Sequence, residues 1–201
     1  MYLDNDIRAE VCAFVVDRAY RTVESLLGIP VIDFENIVEA YPPGEHKIAL
    51  IIGYSNMNRN RRKKYEECKL LGYSMFTYIS GDANVYSDNI GEGNIILPGC
   101  NIAPFVSLGK CNIIDSNVFI GHNTVVGDFN FFAACTTVTG EVIISDNCFF
   151  GAGSIICSRL VSDFSLIASG TTLVRDTEAG QVYHPPKAVL SQGDSNYFTI
   201  R

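Results

Sequence analysis

Aliphatic and phenylalanine side chains recur at every sixth position through the middle of the chain. The series starts at Ile90 and continues to Ile156 without interruption. Its members are Ile90, Ile96, Ile102, Leu108, Ile114, Ile120, Val126, Phe132, Val138, Ile144, Phe150 and Ile156. With apolar residues at 47% of the chain, such a run arises by chance roughly once in several thousand registers. The next residue is often small or turn-forming, as at Gly91, Gly121 and Gly127.

A period of six fits neither the period of two of a flat strand nor the 3.6 of an α-helix. It predicts a β-solenoid, in which each unit is a short strand with a corner and three units close one triangular coil. At about 18 residues per coil, residues 79–174 supply about five coils. After Ile156 the inward positions become Val161, Ile167 and Leu173, so one residue is missing near Arg159. A shortened corner there is the simplest explanation.

The chain before the solenoid alternates between continuous apolar runs and stretches typical of helices. The apolar runs predict buried parallel strands, and they lie at residues 11–16, 30–33 and 48–52. Pro42 and Gly72 each stop a helical stretch, and these helices are predicted at residues 34–40 and 58–71. The cations of the second helix predict an exposed basic face made of Arg59, Arg61, Arg62, Lys63 and Lys64.

Alternating strands and helices indicate a small parallel α/β sheet. We therefore expect two domains, an N-terminal α/β domain over residues 1–78 and the solenoid with a C-terminal tail over residues 79–201. Ligands of such sheets usually bind beyond the carboxyl ends of the strands. Asp17 and Gly53 each directly follow a predicted strand, which makes them candidates for binding a substrate.

Composition and charge argue against several classes of function. The chain carries 15 Lys and Arg against 22 Asp and Glu, a net charge of −7, which disfavours a nucleic-acid partner or a basic membrane-surface protein. Its seven cysteines include no C-x-x-C pair and are typical of free thiols in a reducing cytoplasm. No apolar run approaches the roughly 18 residues of a membrane span, and the first residues lack a signal-peptide pattern. We expect a soluble cytoplasmic protein.

The hexapeptide repeat behind a small α/β domain resembles the left-handed β-helix sugar acetyltransferases, which include sialic-acid O-acetyltransferases and UDP-4-amino-sugar N-acetyltransferases. The matching segments are C-A-F-V-V-D (12–17), G-I-P-V (28–31), I-I-G-Y-S-N (51–56), R-R-K-K-Y-E-E-C-K-L-L-G-Y (61–73), G-H-N-T-V-V-G-D-F (121–129), F-G-A-G-S (150–154), A-S-G-T-T-L-V (168–174) and H-P-P-K-A (184–188). The resemblance covers nearly the whole chain and implies a left-handed helix. The family begins with a strand and a glycine-rich loop, whereas about ten glycine-free residues precede the strand at Val11 here. The first domain is therefore expected to be a truncated Rossmann-like one.

The resemblance also implies the ligands and the assembly. Acetyl-CoA would be the co-substrate, a sugar or nucleotide sugar the acceptor, and a homotrimer the assembly, with each site between neighbouring subunits. No metal is expected, because the γ-class carbonic anhydrases that share the solenoid need three histidine ligands. The predicted coils here contain a single histidine.

His122 is the candidate general base. In the family a histidine in an H-[D/E]-x-x-[I/V]-G frame takes this role, and the frame here reads His122-Asn-Thr-Val-Val-Gly127. Its ordinary pKa suits proton abstraction near neutral pH. Asn123 replaces the family's acidic neighbour, and an amide can orient an imidazole without stabilising its charge. Phe131 stands where the family has a second histidine that contacts the thioester; a phenyl ring can pack there but cannot donate a hydrogen bond.

The resemblance assigns further residues to coenzyme A and to the acceptor. The coenzyme A contacts carried over by position are Phe131, Gly140, Ala152, Ser169 and Gly170. Arg159, Arg175 and Lys187 are candidate partners for its phosphates. Asp17 and Gly53 match positions that contact the nucleotide sugar, and His184 falls in the family's closing turn and is expected to be structural.

These features favour an acetyl-CoA-dependent N-acetyltransferase acting on an amino sugar, expected to be nucleotide-linked, in bacterial surface-glycan biosynthesis. One alternative is O-acetylation of a sialic-acid-like or other sugar hydroxyl. An amine needs less help from a base than an alcohol, which favours the amine in the altered setting of His122. A second alternative is a non-catalytic trimeric scaffold, which Asn123, Phe131 and the absent glycine loop would fit.

Overall fold

The computed structural model describes residues 9–188, so the predicted domains at 1–78 and 79–201 each extend beyond the described residues. Within this range the chain forms a small mixed α/β region followed by a long parallel solenoid. None of the helices in the described range has the length and apolar character needed to cross a bilayer.

The N-terminal region contains two short sheets and one substantial helix. Its helices are the 3₁₀ turns Arg18–Tyr20 and Phe34–Asn36 and the α-helices Ile37–Ala40 and Arg59–Leu70. Its strands are Phe14–Val16, Ser25–Leu26, Ile29–Asp33, Lys47–Ile48 and Ser74–Met75. Phe14–Val16 pairs in parallel with Val31 to Asp33, as predicted, while Ser25–Leu26 adds an antiparallel edge. The helices predicted at 34–40 and 58–71 are confirmed within a residue or two at each end.

The strand predicted at 48–52 is wrong beyond its first residue. Only Lys47–Ile48 is a strand, paired with Ser74–Met75, and Ile51 is exposed. No described strand joins this pair to the sheet of Phe14–Val16. Residues 49–52 therefore have no neighbouring strand with which to form backbone hydrogen bonds. The carbonyl groups of Ile52 and Gly53 instead accept hydrogen bonds from the side chain of Arg61. The described part of the N-terminal region therefore forms two small sheets instead of the single predicted sheet.

The solenoid has three flat faces built from two-residue strands. The first face comprises Tyr78–Ile79, Ile95–Ile96, Ile113–Ile114, Phe131–Phe132, Phe149–Phe150, Leu166–Ile167 and Val182–Tyr183. The second face comprises Asn84–Val85, Asn101–Ile102, Phe119–Ile120, Thr137–Val138, Ile155–Ile156 and Thr172–Leu173. The third face comprises Ser107–Leu108, Val125–Val126, Ile143–Ile144 and Leu160–Val161. All pair in parallel with the coil above and below.

The predicted register is confirmed. Ile114 pairs with Phe132 one coil on, which is a step of 18 residues, whereas Ile144 pairs with Val161, a step of 17. The shortened corner therefore lies where the sequence places it. The inward residues at every sixth position from Ile96 to Leu173 are at most 2% exposed. Inside the coils, the rings of Phe132 and Phe150 stack with their centroids 4.6 Å apart.

A ladder of buried asparagines satisfies the backbone where the third face turns into the first. The Oδ1 atom of Asn94 accepts the backbone N–H of Asn112, and Asn112 does the same for Asn130. Asn130 Oδ1 in turn accepts the N–H of Cys148, at 2.7 Å. The Nδ2 groups of these asparagines donate to backbone carbonyls of the corners. Each turn of this corner is thus hydrogen-bonded to the next, as buried polar groups require.

Arg61 joins the N-terminal helix to the same corner of the solenoid. Its side chain is fully buried, which corrects the prediction of an exposed face at that position. The guanidinium donates to the carbonyls of Ile52, Gly53, Cys111, Phe129 and Asn130 at 2.8–3.3 Å. Burial lowers the pKa of Arg61 to about 10, so it keeps its charge at neutral pH. Carbonyl oxygens alone therefore compensate for the lost hydration of this cation.

Replacing Arg61 by methionine should lower the free energy of unfolding by about 3–5 kcal/mol, because buried carbonyls lose their donors. Denaturant titration followed by circular dichroism measures the change. Lys63→Met, at a side chain 78% exposed on the same helix, is the matched control and should shift stability by less than about 0.5 kcal/mol. Equal stability of the two variants would contradict the structural role of Arg61.

Candidate active site

Most of the predicted site residues of the solenoid lie on two different edges of its triangular coils. His122, Gly140, Arg159 and Arg175 occupy successive corners at the end of the second face, which we call the histidine edge. Ala152, Ser169 and Gly170 occupy corners between the first and second faces, which we call the small-residue edge. Both edges border the second face. One chain therefore does not bring the complete set of predicted residues together.

The imidazole of His122 is held in one tautomer by its neighbour. His122 Nδ1 lies 3.0 Å from Asn123 Oδ1. An amide oxygen can only accept, so Nδ1 carries the proton and Nε2 keeps its lone pair. Asn123 adopts a left-handed backbone conformation with φ of 58°, which asparagine tolerates better than most residues. The predicted orienting role of the amide thus agrees with its position.

The imidazole ring of His122 packs against Gly140, which lies on the next coil. A Cβ atom at Gly140 would lie 2.7 Å from Nε2 and 2.8 Å from Cε1 of His122. Such distances are too short for atoms that are not bonded, so the ring packs against the bare backbone of the glycine. The carbonyl of His122 also accepts the N–H of Glu141 at 2.8 Å. Corner stacking therefore fixes both the backbone and the ring.

The histidine edge continues towards two arginines. Arg159 and Arg175 are exposed and follow Gly140 on the next two coils. Neighbouring parallel strands are about 4.8 Å apart, so the rise from His122 to Arg175 over three coils is about 14 Å. This row places two cations at the far end from the imidazole. Lys187 is exposed as well, but it follows the last strand of the first face and does not lie on this edge.

The small-residue edge is open. Ala152, Ser169 and Gly170 are exposed, and among the described residues nothing lies within 4 Å of where a Cβ of Gly153 or Gly170 would be. A long flexible ligand can therefore lie directly against the backbone here. Phe131 is the outward residue of a first-face strand that runs into this edge. It lies on the face opposite the histidine edge, so it is not near His122 of the same chain.

The two predicted substrate contacts lie in the N-terminal region. Asp17 ends the first strand and its Oδ1 accepts from Lys64 Nζ at 2.6 Å. Burial lowers the pKa of Lys64, but its hydrogen bonds to Asp17 and Glu67 outweigh this and the pKa is raised overall. Gly53 is exposed, and within the described range a side chain at Gly53 would meet nothing within 4 Å. Both positions are open to a ligand, although Asp17 is already in an ion pair.

An aromatic cluster on the first face escaped the sequence analysis. The ring centroid of Tyr54 lies 5.1 Å from that of Phe131 and 4.7 Å from that of Phe149. Tyr54 directly follows Gly53, so the cluster connects a predicted substrate residue to a predicted cofactor residue. A tyrosine in a loop carries no periodic signal, and its partners lie far along the chain. Sequence spacing alone could not have found this contact.

Two buried cysteines and the possible metal ligands contribute no alternative centre in the described range. Burial raises the pKa of Cys111 and of Cys148 to about 12, so both thiols stay protonated and unreactive near neutral pH. Residues 9–188 contain no group of three or more His, Cys, Asp or Glu placed to hold a metal ion. His184 follows the last strand of the first face and His46 lies in the loop after Pro42, both away from the histidine edge.

Comparisons with known proteins agree with this fold. No established protein-family profile matches the chain. It is 27% identical over 111 residues to GDP-perosamine N-acetyltransferase of Escherichia coli O157:H7, which is 55% of this chain and 50% of that protein. The chain thus matches about half the length of this curated relative.

Two solved structures are similar over most of the chain. The acetyltransferase domain of PglB from Neisseria gonorrhoeae FA1090 is 24% identical with a TM-score of 0.75, over 85% of this chain and 82% of that one. The same domain has been solved in complex with acetyl coenzyme A. A mutant of perosamine N-acetyltransferase from Caulobacter crescentus, in complex with CoA and GDP-perosamine, is 22% identical with a TM-score of 0.75, over 84% and 80%.

These neighbours are left-handed β-helix acetyltransferases. The expected left-handed solenoid is therefore confirmed, and so is the resemblance to sugar acetyltransferases on which that expectation depended.

Gly140→Ala should displace the imidazole of His122, because the added methyl group falls within 3 Å of three ring atoms. The chain has three histidines, so their Cε1–H resonances can be resolved and followed by NMR. We expect one of them, assigned through His122→Ala, to shift in the Gly140→Ala spectrum. Gly44→Ala, where among the described residues nothing lies within 4 Å of the new atom, should leave the His122 resonance unchanged. An unmoved His122 resonance would refute the packing.

Proposed function

We propose that the protein is an acetyl-CoA-dependent acetyltransferase that acts on the amino group of a nucleotide-linked sugar. One observation carries the proposal: an imidazole oriented through Nδ1, with Nε2 free, on a β-helix edge whose next coils present Gly140 and then two arginines. The fold is shared with a PglB domain solved with acetyl coenzyme A and with a perosamine N-acetyltransferase solved with CoA and GDP-perosamine. Those ligands set the chemical class of the substrates.

In the proposed reaction His122 acts as general base. Nε2 takes a proton from the acceptor amine as its nitrogen bonds to the acyl carbon, and the bond from that carbon to the coenzyme A sulfur breaks. The same proton then passes from the imidazolium to the leaving thiolate, so charge and atoms balance. Asn123 holds the tautomer in which Nε2 is the basic atom. No covalent intermediate on the protein is needed.

Acetyl-CoA supplies the acyl group as a thioester, and the two edges offer what it requires. Arg159 and Arg175 provide charge for its phosphates, about 14 Å along the axis from His122. Ala152, Ser169 and Gly170 provide an open backbone surface for the pantetheine chain. Gly140 leaves room for the ring of the base His122. The backbone N–H of Gly140 is also a candidate donor to the acyl oxygen. Lys187 is placed for phosphate contact only if the C-terminal segment bends towards the groove.

The division of these residues between two edges supports the expected homotrimer. The N-terminal region packs on the first face and on the corner beside the third face, through Arg61, Asn58 and Tyr54. The second face is left uncovered and presents Phe119 and Ile155, both 40% exposed. If three prisms turn this face towards a threefold axis, the histidine edge of each meets the small-residue edge of the next. The groove between each pair of neighbouring chains would then contain the residues of both edges.

The acceptor would be held by the N-terminal α/β region, which we take to end near residue 78. Asp17 follows the strand Phe14–Val16, as ligand contacts of parallel sheets do. Gly53 lies in the exposed loop before the helix Arg59–Leu70. Asn123 favours an amine over a hydroxyl acceptor, because it orients the imidazole without stabilising its positive charge. Work on precursors of a bacterial surface glycan, in the cytoplasm, is the setting that fits these substrates.

His122→Ala should abolish transfer while leaving coenzyme A binding within about threefold of the unmodified protein, since the base contributes about 10²–10⁴-fold to such reactions. Mass spectrometry of mixtures with acetyl-CoA and a panel of GDP- and UDP-linked 4-amino sugars, with free sialic acid included, detects an acceptor that is about 42 Da heavier after acetyl transfer. His46→Ala, in a loop away from both edges, is the matched control and should retain full activity.

Activity of His122→Ala within threefold of wild type would remove the proposed base. A product formed from sialic acid alone would replace N-acetylation by O-acetylation. Absence of both product and coenzyme A binding would favour the non-catalytic scaffold.

Sedimentation should show a particle of about three times the 22.1 kDa chain mass at micromolar concentration. Phe119→Glu should dissociate it, because a charge would be buried in the proposed second-face contact. Leu70→Glu, at a side chain 88% exposed on the N-terminal helix, should not. A wild-type monomer would refute both the trimer and the shared groove.

A further inference from the structure

Tyr54 occupies an unusual position above the first face. Its ring packs on Phe131 and Phe149, whose own rings stack with centroids 5.7 Å apart. The residue is nevertheless 55% exposed. Its hydroxyl makes no hydrogen bond within the described part of the chain. An aromatic side chain is therefore fixed from below while its polar end is presented to solvent.

The loop that carries Tyr54 is strained and anchored. Asn56, Met57 and Asn58 all have positive φ angles, of 48–60°. Three consecutive non-glycine residues in this region cost roughly 1–2 kcal/mol each. The loop is held by Asn58, which is fully buried and donates from Nδ2 to the carbonyl of Cys148 at 3.0 Å. Cys148 immediately precedes Phe149, so the anchor fixes the loop next to the ring on which Tyr54 packs.

The position of Tyr54 relates it to both halves of the proposed site. It directly follows Gly53, on the acceptor side. Phe131 and Phe149 each lead within three residues into the small-residue edge, at Ala134 and Ala152, which at about 3.3 Å per extended residue is roughly 10 Å. In the proposed trimer the neighbouring copy's histidine edge faces that same edge. The Tyr54 ring contacts Phe131, whose own ring offers no hydrogen-bond donor, so the Tyr54 hydroxyl can supply one beside it.

We propose that the Tyr54 hydroxyl donates a hydrogen bond to the carbonyl oxygen of the bound acyl thioester; this rests on the acetyltransferase function proposed above. Negative charge develops on that oxygen as the acceptor nitrogen attacks, and a fixed donor stabilises it. The hydroxyl keeps its proton throughout, so the proton balance of the reaction is unchanged. The strained loop holds the donor in place before the substrates arrive.

The test compares Tyr54→Phe, which removes only the hydroxyl, with Tyr54→Ala, which also removes the ring. Tyr54→Phe should lower kcat about tenfold, with little change in KM for acetyl-CoA and an unchanged Kd for free CoA, which lacks the thioester carbonyl. Tyr54→Ala should in addition raise KM, because the aromatic surface is lost. Tyr20→Phe, at another exposed tyrosine of the N-terminal region, should match wild type in every parameter.

The outcomes separate this proposal from the proposed function. If wild type transfers acetyl groups and Tyr54→Phe keeps its kcat within twofold, the hydroxyl role is wrong, whatever Tyr54→Ala does. A Tyr54→Phe variant whose affinity for free CoA falls as much as its kcat would also overturn the role. The hydroxyl would then contact another part of the ligand. A wild-type protein that neither binds acetyl-CoA nor turns it over would overturn the proposed function and this inference with it.

Discussion

The positions of the candidate site residues on the solenoid depend on the coil length, which is 18 residues in the central coils. Parallel strands of 18-residue turns place residue i above residue i+18, so a side chain on one corner meets the same corner of the next coil. The constraint comes from the core: each inward apolar residue is buried only if it stacks on its equivalents above and below. His122 and Gly140 are brought together by this register alone. A corner of different length between them would separate the ring from its seat.

The second constraint is the attachment of the N-terminal region. Arg61 is buried between the helix and the corner carbonyls, and its charge is compensated by five carbonyl oxygens without a carboxylate. Such a geometry is directional, since the planar guanidinium fixes the helix relative to the solenoid. Asn58 adds a second buried contact from the same loop and helix. Together they determine where Tyr54 and Gly53 lie with respect to the first face.

Sequence periodicity predicted the solenoid closely because inward burial repeats at fixed spacing. The shortened corner near Arg159 was readable for the same reason. The strand at 48–52 was not, because an apolar run does not reveal whether a hydrogen-bonding neighbour exists. Arg61 was expected on an exposed face, since a basic helix gives no sign that one of its cations faces carbonyls.

The site was predicted only in part. The frame around His122 resembles a known motif, so the base could be named, whereas its contact with Asn123 depends on side-chain conformation. The coenzyme A residues are divided between two edges because they occupy different corners of the coils. Their spacing in the linear sequence does not show this division. Tyr54 lay beyond prediction, because its aromatic partners are more than 70 residues away along the chain.

The central claim is that one active site is shared by two copies of the chain. It can be tested by combining two inactive variants, His122→Ala on the histidine edge and Ala152→Arg on the small-residue edge, by co-expression. If each groove uses one edge from each of two neighbours, random mixing leaves about a quarter of the grooves intact. The co-expressed mixture as a whole should then regain roughly that fraction of wild-type acetyl transfer. Mixed trimers as inactive as either variant alone would contradict the shared site.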